Sequence, residues 1–132
     1  MVTQKDSLGC GVASVAYVLG VTYDNALEQF DIGKVKAVGC YCKDIIEVLE
    51  QNNKKCVYKY VGNQTQRIVY RQNTIVYIKK SKKYPRGHYL VRVKNGWHDS
   101  WINFTNEKNV CAAKSGIRKR LPDRVIYAIF IG

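Results

Sequence analysis

The pattern of apolar and polar positions divides the chain into a helical first half and an extended second half. Residues 10–19 carry apolar side chains nearly all round a helical turn, which predicts a helix buried in the middle of the domain and closed by Gly20. Thr22 is a typical N-cap for a second helix that would end near Phe30. The apolar spacing of Lys43–Gln51 predicts a third helix.

The second half is rich in Val, Ile and Tyr, in short runs separated by turn residues. These runs predict five strands: Lys55–Val61, Thr74–Lys80, Gly87–Lys94, Trp97–Ile102 and Val125–Ile131. Asn95-Gly96 suits a two-residue type I′ turn, so Lys94 is predicted to pair with Trp97. Helices followed by an antiparallel sheet predict an α+β fold, and 132 residues suit a single domain, 1–132.

A candidate nucleophile stands at the predicted start of the buried helix. Unpaired N–H groups and the helix dipole favour a negative charge there, and thiolate is the reactive form of Cys10. Gly9 and Gly11 leave room for a sharp turn and for a substrate. Gln4 can bring its amide to the same spot and, with the Cys10 N–H, would supply two donors for an oxyanion. The alternative is that Cys10 is a small core residue, a common role for cysteine.

The sequence contains two histidines, His88 and His98, and His88 opens a predicted strand. We take His88 as the base. In the predicted hairpin register Asn103 lies directly opposite His88, with Cβ atoms about 5 Å apart, which predicts that Asn103 orients the imidazole. Asp99 is the rival. It faces Arg92 in this register, about 13 Å along the sheet from His88, so its use would need a bulge or a slipped register.

The segments 4–20 and 87–103 resemble the papain superfamily, most closely its bacteriocin-processing, C39-like branch. The likeness rests on Gln4-Lys5-Asp6, on Gly9-Cys10-Gly11-Val12-Ala13 and on Asp99-Ser100-Trp101. The family has Asp-Cys-Gly where this chain has Gly9-Cys10-Gly11. The resemblance implies a papain-like fold, a cysteine hydrolase that acts on a peptide or protein amide or a thioester, and, in the C39-like branch, an aspartate as the orienting residue.

The balance of charge implies acidic partners, because 22 basic residues face 10 acidic ones and the net charge is +12. An acidic substrate, an acidic inhibitor or immunity protein, nucleic acid and an anionic membrane surface all fit. The basic runs lie at 79–86 and 118–120. The first run leads into His88, so we expect it to rim the cleft, whereas solvated surface is the usual role of such runs.

Neither a membrane span nor a signal peptide is evident, because no apolar run is long enough for the first and the N-terminal residues lack the apolar stretch of the second. We therefore expect a cytoplasmic protein, or a bacterial effector or toxin delivered by a specialised secretion system. Five cysteines in irregular spacing predict reduced thiols. Because the sequence lacks paired Cys-x-x-Cys motifs, we expect no metal, and we expect no cofactor.

The leading hypothesis is a cysteine-dependent hydrolase with a Cys-His-Asn/Asp site. Three alternatives remain open: a basic nucleic-acid-binding or nuclease-type module on the same scaffold, a deamidase or acyltransferase toxin domain, and a catalytically inactive interaction domain. The deamidase and the acyltransferase would share the chemical steps of the peptidase.

Overall fold

The structure is a computed structural model that describes residues 1–62 and 69–131. Its helices are α1 (Cys10–Leu19), α2 (Tyr23–Leu27), α3 (Ile32–Val38) and α4 (Cys42–Gln51). Its strands are β1 (Cys56–Tyr60), β2 (Ile75–Ile78), β3 (His88–Val93), β4 (Gly96–Asp99), β5 (Gly116–Arg118) and β6 (Val125–Ile131). A short 3₁₀ helix, Glu107–Ala112, lies between β4 and β5.

The strands form an antiparallel sheet in the order β1-β6-β2-β3-β4-β5, so the predicted α+β fold is confirmed. All five predicted strands form, most of them shorter than expected, and β6 keeps its predicted bounds. Two elements, α3 and β5, were missed, as was the short 3₁₀ helix. Helix α3 is only seven residues long and buries only Val35, and Asp31 caps it by accepting a hydrogen bond from the Lys34 N–H. The other is β5, which is three residues long and has an exposed central Ile117.

Helix α1 lies at the centre of the helical half, as its apolar surface predicts. One side packs on α2 and α3 through Val12, Ala13 and Ala16, and Val15 packs on the other side against α4 and the sheet. Gly20 ends the helix in the left-handed conformation, with φ of 70°. Burial on both sides fixes the axis of α1, and hence the place of its first residue.

The predicted register of the β3–β4 hairpin is wrong. Val93 pairs with Gly96 and Val91 with His98, so Lys94 and Asn95 form the two-residue loop. Neither Asn95 nor Gly96 has a positive φ, which excludes the type I′ turn. Gly96 serves a different purpose, because a Cβ atom there would lie 2.3 Å from the Arg118 carbonyl oxygen. Its missing side chain lets β5 approach β4.

The N-terminal segment runs along the end of β4. The backbone N–H of Val2 donates to Nε2 of His98 at 3.0 Å, and the N–H of Gln4 donates to the Ser100 carbonyl at 3.3 Å. The His98 ring stacks on Tyr17 of α1, with ring centroids 4.4 Å apart. Gln4 is thereby held between the start of α1 and the end of β4. Within the described ranges, no helix has the length and apolar character needed to cross a bilayer.

Candidate active site

Two packed elements bring Cys10 and His88 together. Cys10 is the first residue of α1 and His88 the first residue of β3, and α1 packs on β3. The imidazole of His88 is buried and lies next to the Cys10 side chain, with which it interacts and which is partly exposed in a cleft. The two residues singled out from the sequence as nucleophile and base are therefore in contact.

The residue that contacts the far side of the His88 ring is Asp99. Its Oδ1 lies 2.7 Å from His88 Nε2, which leaves Nδ1 for Cys10. The observed register explains this contact. Relative to the prediction β4 is shifted by two residues, so that Asp99 falls opposite Leu90 instead of Arg92. It thus becomes a diagonal neighbour of His88 on the same face, within reach of a hydrogen bond.

Asn103 does not lie opposite His88, so the prediction that it orients the ring is wrong in its geometry. Its Nδ2 donates to the Ala112 carbonyl at 3.0 Å, and its Oδ1 accepts from the Lys114 N–H at 2.8 Å. Asn103 is exposed and lies beyond the end of β4. Its side chain ties the loop that precedes β5 and has no contact with the imidazole.

Opposite charges around the imidazole overcome the effect of its burial. Burial by itself lowers the pKa of His88, but the hydrogen bonds with Asp99 and Cys10 and the charges of both raise that pKa to about 9. Burial also raises the pKa of the Asp99 carboxyl, yet His88, Arg118 and the Trp101 N–H together hold it well below its usual range. At neutral pH the buried pair is therefore an imidazolium and a carboxylate.

Arg118 completes the surroundings of Asp99. Its Nε donates to Asp99 Oδ2 at 2.7 Å, while the backbone N–H of Trp101 donates to Oδ1 at 3.0 Å. Sequence reasoning missed this role, because Arg118 belongs to a run of three basic residues that is typical of a solvated surface. Apolar periodicity cannot predict that one arginine of a three-residue edge strand points its side chain inward.

Aromatic rings shield the imidazole from solvent. Tyr84 stacks on His88 with ring centroids 4.7 Å apart and planes 11° apart. Phe104 stacks on the other side of Tyr84 at 5.1 Å, and Trp101 meets the Phe104 ring edge-on at 4.7 Å. Excluding water in this way strengthens the hydrogen bond between His88 and Asp99.

Gln4 reaches the site but is occupied there. Its buried side chain accepts a hydrogen bond from the Ser100 hydroxyl at 2.7 Å. Its amide nitrogen donates to the carbonyl oxygens of Asp6 at 3.0 Å and Ser7 at 3.3 Å. Gln4 and Cys10 both line the cleft, and the Gln4 amide nitrogen is turned toward the backbone of the loop before α1.

The cleft has a volume of about 1010 Å³, an aromatic floor and a basic edge. Tyr89, Tyr77 and Tyr127 are directly opposed on three adjacent strands and lie along the floor. Its edge carries three lysines, which we call the basic rim: Lys43, Lys79 and Lys80. Among the described residues no acidic side chain forms an ion pair with the rim.

Comparisons with known proteins give one solved structure of the same fold. The chain is similar to the peptidase domain of Streptococcus ComA, a bifunctional ABC transporter involved in a quorum-sensing pathway. The TM-score is 0.57 at 19% identity, and the match covers 98% of this chain and 95% of that one. The two domains share one fold, which is the papain-like fold that the resemblance implied. No family model and no curated protein matches the sequence.

The shared fold confirms the resemblance drawn from the two short motifs and extends it to nearly the whole chain. Segments 4–20 and 87–103 are adjacent in the structure because α1 packs on β3. The middle of the chain contains neither motif. In the structure it supplies α4 and residues at the edge of the cleft.

The other thiols in the cleft differ from Cys10 in their surroundings. Burial raises the pKa of Cys40 and, less strongly, that of Cys42. Cys42 also lies 3.7 Å from the Tyr89 hydroxyl. In the part of the chain that the structure describes, no three His, Cys, Asp or Glu side chains are grouped so as to hold a metal ion.

Proposed function

We propose that this domain is a cysteine peptidase in which Cys10 is the nucleophile, His88 the general acid and base, and Asp99 the residue that orients His88. The observation that carries the proposal is the continuous chain of contacts from Cys10 through His88 to the buried Asp99, at the bottom of an open cleft. A nucleophile, a base within hydrogen-bonding reach and a third group that orients the base are the parts that acyl transfer by a thiol requires.

The reaction would begin from a thiolate and an imidazolium. The Cys10 thiolate attacks the carbonyl carbon of a substrate amide, and the carbonyl oxygen takes up the negative charge. As the carbon–nitrogen bond breaks, His88 gives its proton to the leaving amine, which leaves a thioester on Cys10. The neutral His88 then takes a proton from water, the hydroxide attacks the thioester, and the carboxylic acid departs while the thiolate and imidazolium are restored.

Two N–H groups are suited to stabilise the oxyanion. The Cys10 N–H stands at the first position of α1, where backbone N–H groups have no acceptor within the helix. The amide of Gln4 would provide the second donor. Because its bond to the Ser7 carbonyl is the longer one, at 3.3 Å, we propose that this bond is exchanged for the substrate oxygen.

The lining of the cleft favours a peptide that carries acidic residues near the bond to be cleaved. The tyrosine floor offers apolar surface to substrate side chains, and the basic rim offers three cations with no acidic partner among the described residues. An acidic inhibitor would be held by the same rim. Nucleic acid is the competing ligand, and its binding would be marked by a steep dependence on salt.

The proposal is tested by alkylation with iodoacetamide across pH, followed by peptide mapping. We expect Cys10 to react selectively at and below neutral pH, with the exposed Cys111 as an internal reference. His88→Ala should slow the reaction of Cys10 by about tenfold or more, whereas His98→Gln, the matched histidine control, should leave it unchanged. Equal labelling of Cys10 and Cys111, insensitive to His88→Ala, would argue against the enzyme.

A peptide library distinguishes cleavage from the related chemistries. New chain termini, absent with Cys10→Ala, indicate a peptidase, whereas an intact chain with altered Gln or Asn side chains indicates a deamidase. We expect cleavage, with a preference for peptides that carry Asp or Glu.

A further inference from the structure

Arg118 joins two groups that touch the imidazole from different sides. Its Nε donates to Asp99 Oδ2 at 2.7 Å, and one of its terminal nitrogens donates to the hydroxyl of Tyr84 at 3.3 Å. The same terminal nitrogen donates to the Ile102 carbonyl at 3.3 Å, and 20% of the side chain is exposed. The guanidinium is thus held by three acceptors, which is more than a surface ion pair requires.

We propose that Arg118 is a positioning residue that fixes both the orienting carboxylate and the ring stacked on the imidazole, and that its charge sets the pH range over which His88 stays protonated. This inference rests on the proposed function of the site.

The geometric part follows from the two oxygens of the carboxylate. Arg118 occupies Oδ2, and His88 and the Trp101 N–H share Oδ1. A carboxylate held at both oxygens cannot rotate about its Cβ–Cγ bond, so Oδ1 stays on the ring nitrogen. The hydrogen bond to Tyr84 fixes the ring that stacks on His88 at 4.7 Å. Removing Arg118 loosens both constraints, and small displacements of a catalytic group are costly for turnover.

The electrostatic part follows from counting the charges that face His88. Cys10 from α1 and Asp99 from β4 contribute negative charges, and Tyr84 contributes a neutral hydroxyl. Arg118 from β5 neutralises Asp99 across a contact of 2.7 Å. With Arg118 present, the guanidinium offsets part of the attraction between the Asp99 carboxylate and the His88 proton. Without it that attraction is unopposed, and His88 would keep its proton to a higher pH.

Gly96 makes this placement possible. A Cβ atom at this position would lie 2.3 Å from the Arg118 carbonyl oxygen and 3.0 Å from the side chain of Ile117. Any larger residue would therefore push β5 away from β4 and withdraw the guanidinium from Asp99. The close approach of the two strands serves the contact between Arg118 and Asp99.

The test is an NMR titration of the imidazole nitrogens, which is feasible because the chain has only His88 and His98. His98→Gln assigns the signals. Arg118→Met removes charge and donor, Arg118→Gln keeps a donor without charge, and Arg118→Lys keeps charge without the planar fork. Lys119→Met, the matched control, removes a positive charge from the next, exposed residue.

We expect the titration midpoint of His88 to rise by about one pH unit in Arg118→Met and Arg118→Gln. It should stay near the wild-type value in Arg118→Lys and Lys119→Met. Peptide turnover should fall by about tenfold to a hundredfold in Arg118→Met, with partial rescue in Arg118→Lys. If Arg118→Met does not fold, the Gln and Lys variants carry the same comparison.

The inference is overturned if His88 titrates at the same pH in all four variants, or if its midpoint moves equally in Lys119→Met. Such a result leaves the proposed function intact as long as Cys10 still shows selective, His88-dependent alkylation. If Cys10 of the wild-type protein shows no selective alkylation, the proposed function itself is refuted.

Discussion

Asp99→Asn is the substitution that most directly separates the two candidate orienting residues. It keeps the shape of the side chain and removes its charge. Asp99 is fully buried and makes hydrogen bonds of 2.7 Å with His88 and with Arg118. In the variant an NH₂ group, which donates hydrogen bonds, replaces one of the two carboxylate oxygens that accept from His88 and Arg118. Either His88 or Arg118 then faces a donor.

The size of the effect can be worked from the imidazole. A rise of the His88 pKa from 6.5 to about 9 corresponds to about 3 kcal/mol in favour of the imidazolium. The hydrogen bond with Asp99 is the largest of the raising contributions, so losing it should cost about 2 kcal/mol, or about thirtyfold in the population of imidazolium. The pKa of His88 then moves down from about 9 toward 6.5.

The assay combines Cys10 alkylation with peptide turnover across pH. For Asp99→Asn we expect the alkaline limit of activity to move down in pH, and turnover at neutral pH to fall by about 10²–10⁴-fold, since the ring also loses its orientation. Thermal melting is measured in parallel because Arg118 loses its counter-ion. The comparison is valid if the variant is still folded at the assay temperature.

Asn103→Ala is the control, because its side chain is exposed and bonds only the backbone of its own loop. It should lose no more than about 1 kcal/mol of stability and keep near wild-type turnover. Wild-type turnover of Asp99→Asn at neutral pH, or a larger loss in Asn103→Ala, would refute the reasoning from the observed register.

Three further expectations follow from the site. Gln4→Ala should reduce peptide turnover by about 10²–10³-fold and leave the alkylation of Cys10 unchanged, since alkylation forms no oxyanion; equal losses in both assays would contradict the assigned role. Burial and the nearby N-terminal charge lower the pKa of His98 to about 4, so the unfolded state takes up a proton between pH 6.5 and 4 that the folded state does not. Stability should therefore fall by about 3 kcal/mol over that range, as followed by denaturant titration, and His98→Gln should abolish most of this slope. Replacing two lysines of the basic rim by Gln should raise KM for acidic peptides at low salt and not for neutral ones, and an unchanged preference would exclude the rim from substrate selection.

Several elements were predictable because the forces that form them are local. The side chains of residues 10–19 are apolar nearly all round, which predicts a buried helix, and Gly20 ends it in the left-handed conformation that glycine favours. Thr22 caps α2 by accepting a hydrogen bond from the Asn25 N–H. The run of Val, Ile and aromatic residues in β6 was sufficient to predict Val125–Ile131 as a strand.

The hairpin register was mispredicted because the Asn-Gly preference acts within the turn, whereas the observed register depends on contact with another strand. Asn-Gly favours a type I′ turn by a small preference of the backbone. In the structure the close approach of β5 requires a glycine at position 96, so that Gly96 lies within β4 and the loop moves to Lys94 and Asn95. A shift of two residues preserves which side chains face the core, so binary patterning cannot distinguish the two registers.

The sequence by itself determined the α+β order of elements, the buried helix that begins at Cys10 and the histidine that opens β3. These features depend on apolar periodicity, capping and turn chemistry, which act over a few residues. Only the tertiary structure decided that Asp99 and not Asn103 contacts His88, and that Arg118 turns inward to hold the carboxylate. Both depend on how strands distant in sequence align and approach, which is set by packing across the sheet.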